Sequence, residues 1–584
     1  MKKKLSLKRV FGRTFTFPGI GTLSDAARHF SSRERLLFGF LAVVLAISTV
    51  TLLAQVNELY LTEVPVAGGT LTEGVVGTPF AINPVRAANA ADLDLVALVY
   101  SGLMRPGPGG KLIYDLAESY TVSDDGLTYT FTLRNDLVWH DGLPLTSEDV
   151  VFTIEKVQES AIESPHLASW DGVTASATDE RTIVFELPEP YSPFLVNTTL
   201  GIIPQHLWSD ITPGEFKQSF YNTEPIGSGP YKLTSVKRNS KGIPVAYDLN
   251  RFDEFALGQP MIDEVRIRVY SNEVELVGAY LDGSVDSIHG ISTQQASDIA
   301  STSPSHRLET LPLPRVIGAF FNQNQAAIFT DLAVRKALER VIDRDAIVEK
   351  ALDGYGEPIS GPIPETSLGF TPYQKSASTS AENVASAISL LERNGWAIND
   401  ETGYRENDGE VLSFAISAPD VPELMTTAFE LETAWESLGA DVEVKIFEAG
   451  NLVDMVIRPR KYDIVLYGEI VGRDSDLFAF WHSSQRMDPG LNIALYTNLD
   501  VDAALTKART STSTEERDEL NKEVAAWIQD EVPAVFIYTP HLIYPTSYRV
   551  RGIYTGPVTT PSERFMDIYT WYVETERVWE IFAR

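Results

Sequence analysis

Residues 116–157 read LAESYTVSDDGLTYTFTLRNDLVWHDGLPLTSEDVVFTIEKV, and the spacing within this stretch specifies a run of elements. Asp124-Asp125-Gly126 supplies turn chemistry. Beyond it Leu127, Tyr129, Phe131 and Leu133 alternate with Thr128, Thr130, Thr132 and Arg134, the period of a strand with one packed and one wet face. Asp141-Gly142 marks a second tight turn. Thr146, followed three residues later by Asp149, has the spacing of a capping box and opens a predicted helix through Val150, Ile154 and Val157. The order is strand, turn, short strand, turn, helix.

The same mixture of α and β continues outward. Residues 182–187 and 265–270 read as strands. Residues 332–342 read as a helix, with Thr330 as its cap and Arg335 pairing with Glu339. A second amphipathic helix over 381–394 puts Val384, Ile388 and Leu391 on one stripe, with Ser380 as cap and Gly395 as stop. At 584 residues the chain exceeds one ordinary core and should divide into two or three domains. A hydrophobic content of 44% argues for packed cores rather than disorder.

Charge is distributed unevenly. The net charge is −32, yet residues 1–35 hold nine Lys/Arg against two Asp/Glu, which leaves −39 on the remainder. A body this acidic is a poor partner for nucleic acid. Residues 36–54, LLFGFLAVVLAISTVTLLA, are 19 residues without a charge. As a helix they span roughly 28 Å, close to the hydrocarbon thickness of a bilayer. This predicts one transmembrane anchor at 36–54, a basic cytoplasmic tail at 1–35 that includes Arg28, Arg33 and Arg35, a short tether at 55–67, and an extracytoplasmic body. A cleaved signal peptide is the rival reading. The length of the segment, its long basic preface and the lack of a small-x-small site favour the uncleaved anchor. The chain has no cysteine, so disulfides, thiolate metal sites, cysteine nucleophiles and a lipidated cysteine are all excluded.

Catalytic motifs are weak. Gly227-Ser228-Gly229 lacks the GxSxG spacing, and Pro230 obstructs the helix that a nucleophile elbow needs. Gly109-Gly110-Lys111 lacks the spacing of a P-loop. The eight histidines form no HExxH or paired metal spacing, and His140 lies in a WHDG turn where a structural hydrogen bond is the ordinary reading. Asp343 with Asp345, and Asp474 with Asp476, are carboxylates two apart; the first pair reads as a helix cap. No enzyme activity, metal or cofactor is expected.

As a string, residues 116–157 resemble the segment that marks the family 5 extracellular solute-binding proteins, the peptide, nickel and oligosaccharide receptors of ABC importers. The resemblance continues in chain order through GGTLTEGVVGTPFAINP from Gly68, LVYSGLMR from Leu98, IIPQHLW from Ile202, PIGSGPYKL from Pro225 and DGSVDS from Asp282. After the midpoint it runs through FFNQNQAAIFTDLAVRKALERVIDRDAIV from Phe320, LLERNGW ending at Trp396, YDIVLYGEI from Tyr462 and FWHSSQ from Phe480. It covers 68–584.

The resemblance implies an α/β, two-lobed fold of the periplasmic-binding-protein type, class II, with an extra subdomain and a hinge between the lobes. Lobe I would be assembled from 68–98, 205–318 and 535–584, with a subdomain at 99–204; lobe II would be 319–534, with crossings near Gly318 and Ala534. The implied function is a membrane-anchored receptor, monomeric, that captures peptides by lobe closure and delivers them to an ABC permease. The alternatives are the same mechanism for an oligosaccharide or a metal chelate, and a sensor or surface-interaction protein on the same fold.

In peptide-binding relatives the ligand lies extended between the lobes, its backbone paired by strand-like segments and its termini met by opposite charges. The stretch from Tyr467 through Glu469 and Gly472 to Asp474 corresponds to the family's lining strand and loop, where an acid would meet the ligand's amino group. Glu469 stands where a tryptophan is common, and Asp474 matches the anchoring aspartate only after a gap. Arg86 to Asn89 is the ligand-facing stretch on lobe I. Phe320 and Asn322 lie near the crossing, and Trp481 is the candidate aromatic clamp, with a core role as the competing reading.

Overall fold

The computed structural model describes residues 31–583 apart from 303–305, 366, 368, 376, 377 and 474. Contacts divide the chain into two units: residues up to Val66 together with Thr575–Arg584, and Ala67–Glu574.

In the first unit the helix Ser32–Leu59 contains the apolar stretch read from the sequence and buries none of its residues. Ser31 and Glu34 close a capping box at its start, Ser31 N–H donating to the Glu34 carboxylate at 2.7 Å. The strand Leu61–Val66 follows it and pairs with Glu574–Trp579. Most of the basic tail lies outside the described residues.

The second unit is built on a 12-stranded mixed sheet. Its central strand, Ala534–Ser547, is 14 residues long and serves both lobes. The first half pairs with Arg315–Phe321, Ile317 lying opposite Tyr538; the second half pairs with His306–Pro312, Pro312 lying opposite His541. The pairing partner of the central strand changes between Tyr538 and His541, where its neighbour passes from Arg315–Phe321 to His306–Pro312. Lobe I continues from this strand through Ser287–Ile288, Thr70–Val76 and Glu264–Tyr270 to the hairpin of Tyr231–Arg238 with Pro244–Arg251. Lobe II continues through Ile464–Ile470 and Ser413–Pro419 to Asp441–Phe447.

Both faces of the lobe II sheet are covered, which explains why Arg315–Phe321 and Ile464–Ile470 read as apolar runs rather than alternating strands. Ile317, Ala319, Phe321, Ile464 and Leu466 enter one core, while Val316, Phe320 and Val465 enter the other. In lobe I one core spans the main sheet and the subdomain, and a second, smaller one gathers Leu276, Tyr280, Ile288 and Ile299.

The stretch that opened the sequence reading forms part of a four-stranded antiparallel sheet, ordered Ala117–Val122, Thr128–Leu133, Thr182–Glu186, Thr174–Asp179. Thr128–Leu133 alternates half-buried and buried residues as its pattern requires. The helix Ser147–Gln158 starts at the Thr146–Asp149 capping box. The expected short strand is reduced to one bridge, Val138 with Pro144, around the Asp141-Gly142 turn.

Two helix starts differ from expectation by one residue. Asp331, not Thr330, caps Leu332–Arg340, because its carboxylate accepts from Ala333 N–H at 2.8 Å. Thr379, not Ser380, caps Ser380–Arg393 and forms a capping box with Glu382. Arg335 does not pair with Glu339. It turns inward and donates to the carbonyls of Glu531 and Val532, each at 3.1 Å from Nε, leaving Glu339 to pair with Arg344 at 2.9 Å.

Lobe I is held together across its three chain segments by a buried polar cluster. Arg564, fully buried, makes a two-pronged contact with Asp94 at 2.7 Å and 2.7 Å and reaches Glu73 at 2.8 Å. Tyr544 donates to Glu73 at 2.9 Å, Ser287 also bonds Glu73, and His289 lies 2.7 Å from Asp94. Burial alone would raise the Asp94 carboxyl, but Arg564 and His289 together hold it well below the usual carboxylate range.

Candidate functional site

A cavity of about 400 Å³ opens in lobe I between the helix Ala90–Val99, the hairpin of Met104–Pro106 with Leu112–Tyr114, the short helix Leu167–Trp170 with His166 before it, and the segment from Thr560 to Met566. Its wall includes Arg105 and Asp115, both buried, with Arg105 Nε 3.4 Å from Asp115. The rings of Phe255 and Tyr569 flank the Arg105 guanidinium at 5.3 Å and 5.7 Å. Glu563 closes one side.

At this rim the second lobe arrives. Arg473, on the loop after Ile464–Ile470, donates from Nη2 to Glu563 at 2.6 Å, and Thr559 N–H donates to the same carboxylate at 2.7 Å. Burial nonetheless leaves the Glu563 carboxyl above its ordinary value, with Arg473 opposing the rise. A second bridge joins the subdomain to the same loop. Arg509 pairs with Asp476 at 3.1 Å and lies over the rings of Phe478 and Tyr191, at 4.4 Å and 5.0 Å. Ser192 N–H donates to the Arg509 carbonyl at 2.9 Å. Burial, assisted by Asp476, pushes the Tyr191 hydroxyl up to about 12. Arg473 and Asp476 on this side, together with the helix end that carries Arg509, therefore bring lobe II into contact with lobe I.

The residues singled out from the sequence fall into three groups. Asp474 lies outside the described residues. Asn89, Phe320, Asn322 and Trp481 are engaged in local structure. Asn89 caps the helix Ala90–Val99, accepting from Asp92 N–H at 2.9 Å. Asn322 shapes a turn, accepting from Asn324 and Gln325 N–H, each at 3.1 Å, and donating to the Arg460 carbonyl at 3.0 Å. Phe320 and Trp481 are fully buried, with ring centres 6.2 Å apart, and Trp481 also packs on Tyr496 and Phe536. Tyr467 packs half-buried on a lobe II core and the Gly472 carbonyl accepts from Ser475 N–H at 3.3 Å, whereas Arg86 and Glu469 carry no such commitment. Arg86 is half-buried, and its Nε has no partner among the described residues.

Glu469 is the unusual member. It is 4% exposed, directly opposite Val316, on the strand face shared with Val465, and neither carboxylate oxygen has a partner among the described residues. Burial alone raises its carboxyl well above the ordinary value. A partnerless buried carboxyl is costly, and such groups concentrate at functional sites. The sequence flagged this position through its place in the family pattern; nothing in the local pattern signalled its isolation. The loop contacts of Arg473, Asp476, Arg509 and Glu563 were not found from sequence, since they join positions far apart in the chain.

The alternative motifs resolve into structure. His140 Nε2 lies 3.0 Å from the Gly229 carbonyl, and Gly227 N–H donates to Nδ1 at 3.3 Å, an arrangement that suits the neutral ring. Burial lowers its pKa to about 4. Gly227 is pressed on the Val99 carbonyl so closely that a Cβ would lie 2.0 Å from its oxygen, which leaves no room for a side chain there. Asp343 caps the helix Arg344–Leu352.

Comparison with known proteins agrees with this geometry. Residues 111–488 match the family model of bacterial extracellular solute-binding proteins, family 5, middle region. The oligopeptide-binding protein AppA of Bacillus subtilis is 25% identical, the match covering 82% of this chain and 88% of that protein. Protein XP55 of Streptomyces lividans is 30% identical over 84% of this chain and 87% of its own length. Among solved structures, the ABC transporter substrate-binding protein CtaP of Listeria monocytogenes aligns with a TM-score of 0.73 at 27% identity, covering 87% of this chain and 99% of that one. The chain belongs to the family 5 bacterial extracellular solute-binding proteins, two-lobed α/β receptors of ABC transporters, here with one apolar helix ahead of the body.

Proposed function

We propose that this protein is a membrane-anchored receptor that captures peptides between its lobes on the outer side of the cytoplasmic membrane and hands them to an ABC permease. The observation that carries the reading is the approach of Arg473, from lobe II, to the rim of the lobe I cavity, where Glu563 holds it. Closure of this kind traps a ligand, and the closed form is the one a transporter would engage. The relatives named for oligopeptide binding support peptide as the solute. In this reading Arg86 and Asn89 face the ligand from lobe I, while Phe320, Asn322 and Trp481 support the crossing, and Tyr467, Gly472 and Asp474 line the opposite wall. Glu469 receives the ligand's amino group or another cation, which supplies the partner its buried carboxyl lacks. Binding is reversible and no chemistry is performed on the solute. The basic flank of the helix stays cytoplasmic.

Native mass spectrometry of the full chain in detergent, with gradual activation to release bound species, tests this. A ladder of peptide masses is expected. A single non-peptide mass would move the assignment to an oligosaccharide or a metal chelate. An empty protein that also ignores added peptides would favour a sensor or surface-interaction role.

A further inference from the structure

The C-terminal end of the chain folds back onto the end of the apolar helix. Glu574–Trp579 pairs with Leu61–Val66, the Trp579 ring stacks on Tyr60 at 6.1 Å and 14°, and Glu580 N–H donates to the Tyr60 carbonyl at 2.9 Å. Arg577 lies 3.7 Å from Glu63 along the same pair. The junction is strongly apolar and faces outward. Leu59, Ile581 and Phe582 expose 81%, 75% and 72% of their surface, and Tyr60 and Trp579 are exposed beside them. Five large apolar side chains gathered at one exposed corner mark an interaction surface rather than ordinary solvated exterior.

The position of this corner along the helix identifies its partner. If residues 36–54 fill the hydrocarbon core, Tyr60, six residues past Ala54, lies about 9 Å beyond it along the axis, within the headgroup layer. Tryptophan and tyrosine favour that layer, because an apolar ring with one polar atom suits its gradient. The stacking and the Glu580 hydrogen bond tie Trp579, and with it Ile581 and Phe582, to the level of Tyr60. Charge does not drive the contact. The two strands and their flanks carry Glu58, Glu63, Glu574, Glu576 and Glu580 against Arg577 and Arg584, a net negative charge, so attraction to anionic headgroups does not drive insertion, which rests on apolar burial.

We propose that the segment Trp579–Phe582, together with Leu59 and Tyr60, is a second membrane contact that embeds in the headgroup layer of the bilayer spanned by the helix. The inference rests on the anchor reading of that helix. The segments Leu59–Tyr60 and Trp579–Phe582 are then held at one membrane surface, the first by the span and the second by an interfacial clamp.

The absence of cysteine makes the test direct. Phe582→Cys is prepared in the full chain, labelled with an environment-sensitive fluorophore, and reconstituted into phosphatidylcholine vesicles with and without lipids carrying a quencher near the headgroup. Lys241→Cys, on an exposed turn of the body, serves as control. Phe582 is exposed, so its replacement does not disturb a core. The expected result is blue-shifted emission at 582, loss of intensity with quencher lipid, insensitivity to high salt, and neither effect at 241. A label at 582 that stays as water-exposed as the control, on protein that floats with the vesicles, overturns the clamp while leaving the anchor standing. A blue shift without lipid quenching overturns it in favour of a protein contact. Failure of the protein to float with the vesicles removes the anchor and the clamp together.

Discussion

Glu469 poses the sharpest electrostatic problem in the body, because its carboxyl is buried with no partner among the described residues. Burial holds its folded pKa above the ordinary 4.5, so the folded state retains a proton that the unfolded chain releases. The associated stability is fully present below that ordinary value and is lost as pH rises through the raised folded pKa, at up to about 1.4 kcal/mol per pH unit. Glu469→Gln should therefore flatten the stability profile above the ordinary carboxylate range and make the ligand-free protein more stable at neutral pH, while weakening a ligand whose cation sits there by tenfold or more. Urea midpoints across pH and calorimetric titration check the two halves. If binding falls without any change in the pH profile, the burial argument is wrong. His140 gives the opposite sign. Its pKa falls from 6.5 to about 4, so its contribution is complete above 6.5 and is lost as pH drops toward 4. Between pH 7 and 5 that loss is on the order of 2 kcal/mol, and His140→Asn should show a smaller drop over the same interval. At this scale the sequence disclosed residue types and spacings, such as the Thr146–Asp149 box. It did not disclose the solvent around Glu469, which depends on side chains brought from elsewhere.

Elements whose pattern is local were legible: the alternating Thr128–Leu133 strand, the stripe on Ser380–Arg393, and the long apolar helix. Their ends were less so, because Thr330 and Asp331, or Thr379 and Ser380, are adjacent residues that can both cap, and tertiary geometry selects between them. Arg335 shows why a helical i,i+4 pair is weak evidence of contact. Its guanidinium gains more by satisfying the carbonyls at the end of the helix Thr514–Glu531, where Val532 takes up a left-handed conformation. An exposed pair with Glu339 would add only a few tenths of a kcal/mol. Arg335→Ala leaves those carbonyls without a donor and should cost about 2–3 kcal/mol. Arg335→Lys should recover only part, since an ammonium cannot reproduce the planar fork. A fall in the denaturation midpoint of less than about 0.5 kcal/mol equivalent for Arg335→Ala would show that water satisfies these groups instead.

For the body as a whole, the order of family strings along the chain made the two-lobed arrangement legible, whereas the contacts that join distant segments were not. Arg564 meets Glu73 and Asp94 across 491 and 470 residues, and Arg473 meets Glu563 across 90, separations that no periodic pattern encodes. The second contact bears on mechanism because its two partners belong to different lobes. Opening the cleft must separate a nearly buried guanidinium from a largely buried carboxylate, so this pair biases the lobes toward closure even without solute. Removing one partner leaves the other charge poorly compensated in the closed state, a penalty of about 3–5 kcal/mol when burial is complete, and less here because Glu563 retains 17% side-chain exposure. Arg473→Ala should therefore shift the ligand-free population toward the open form and lower apparent affinity by about ten- to a hundredfold, in proportion to the closed fraction lost. Small-angle scattering should report a larger radius of gyration for the ligand-free variant and a return to the wild-type value at saturating solute. Adding Glu563→Gln should restore part of the closed population, since the uncompensated charge is then gone. An unchanged radius together with unchanged affinity would mean that the Asp476–Arg509–Tyr191 bridge alone sets the closed state, and Arg509→Ala would then be the variant that opens it.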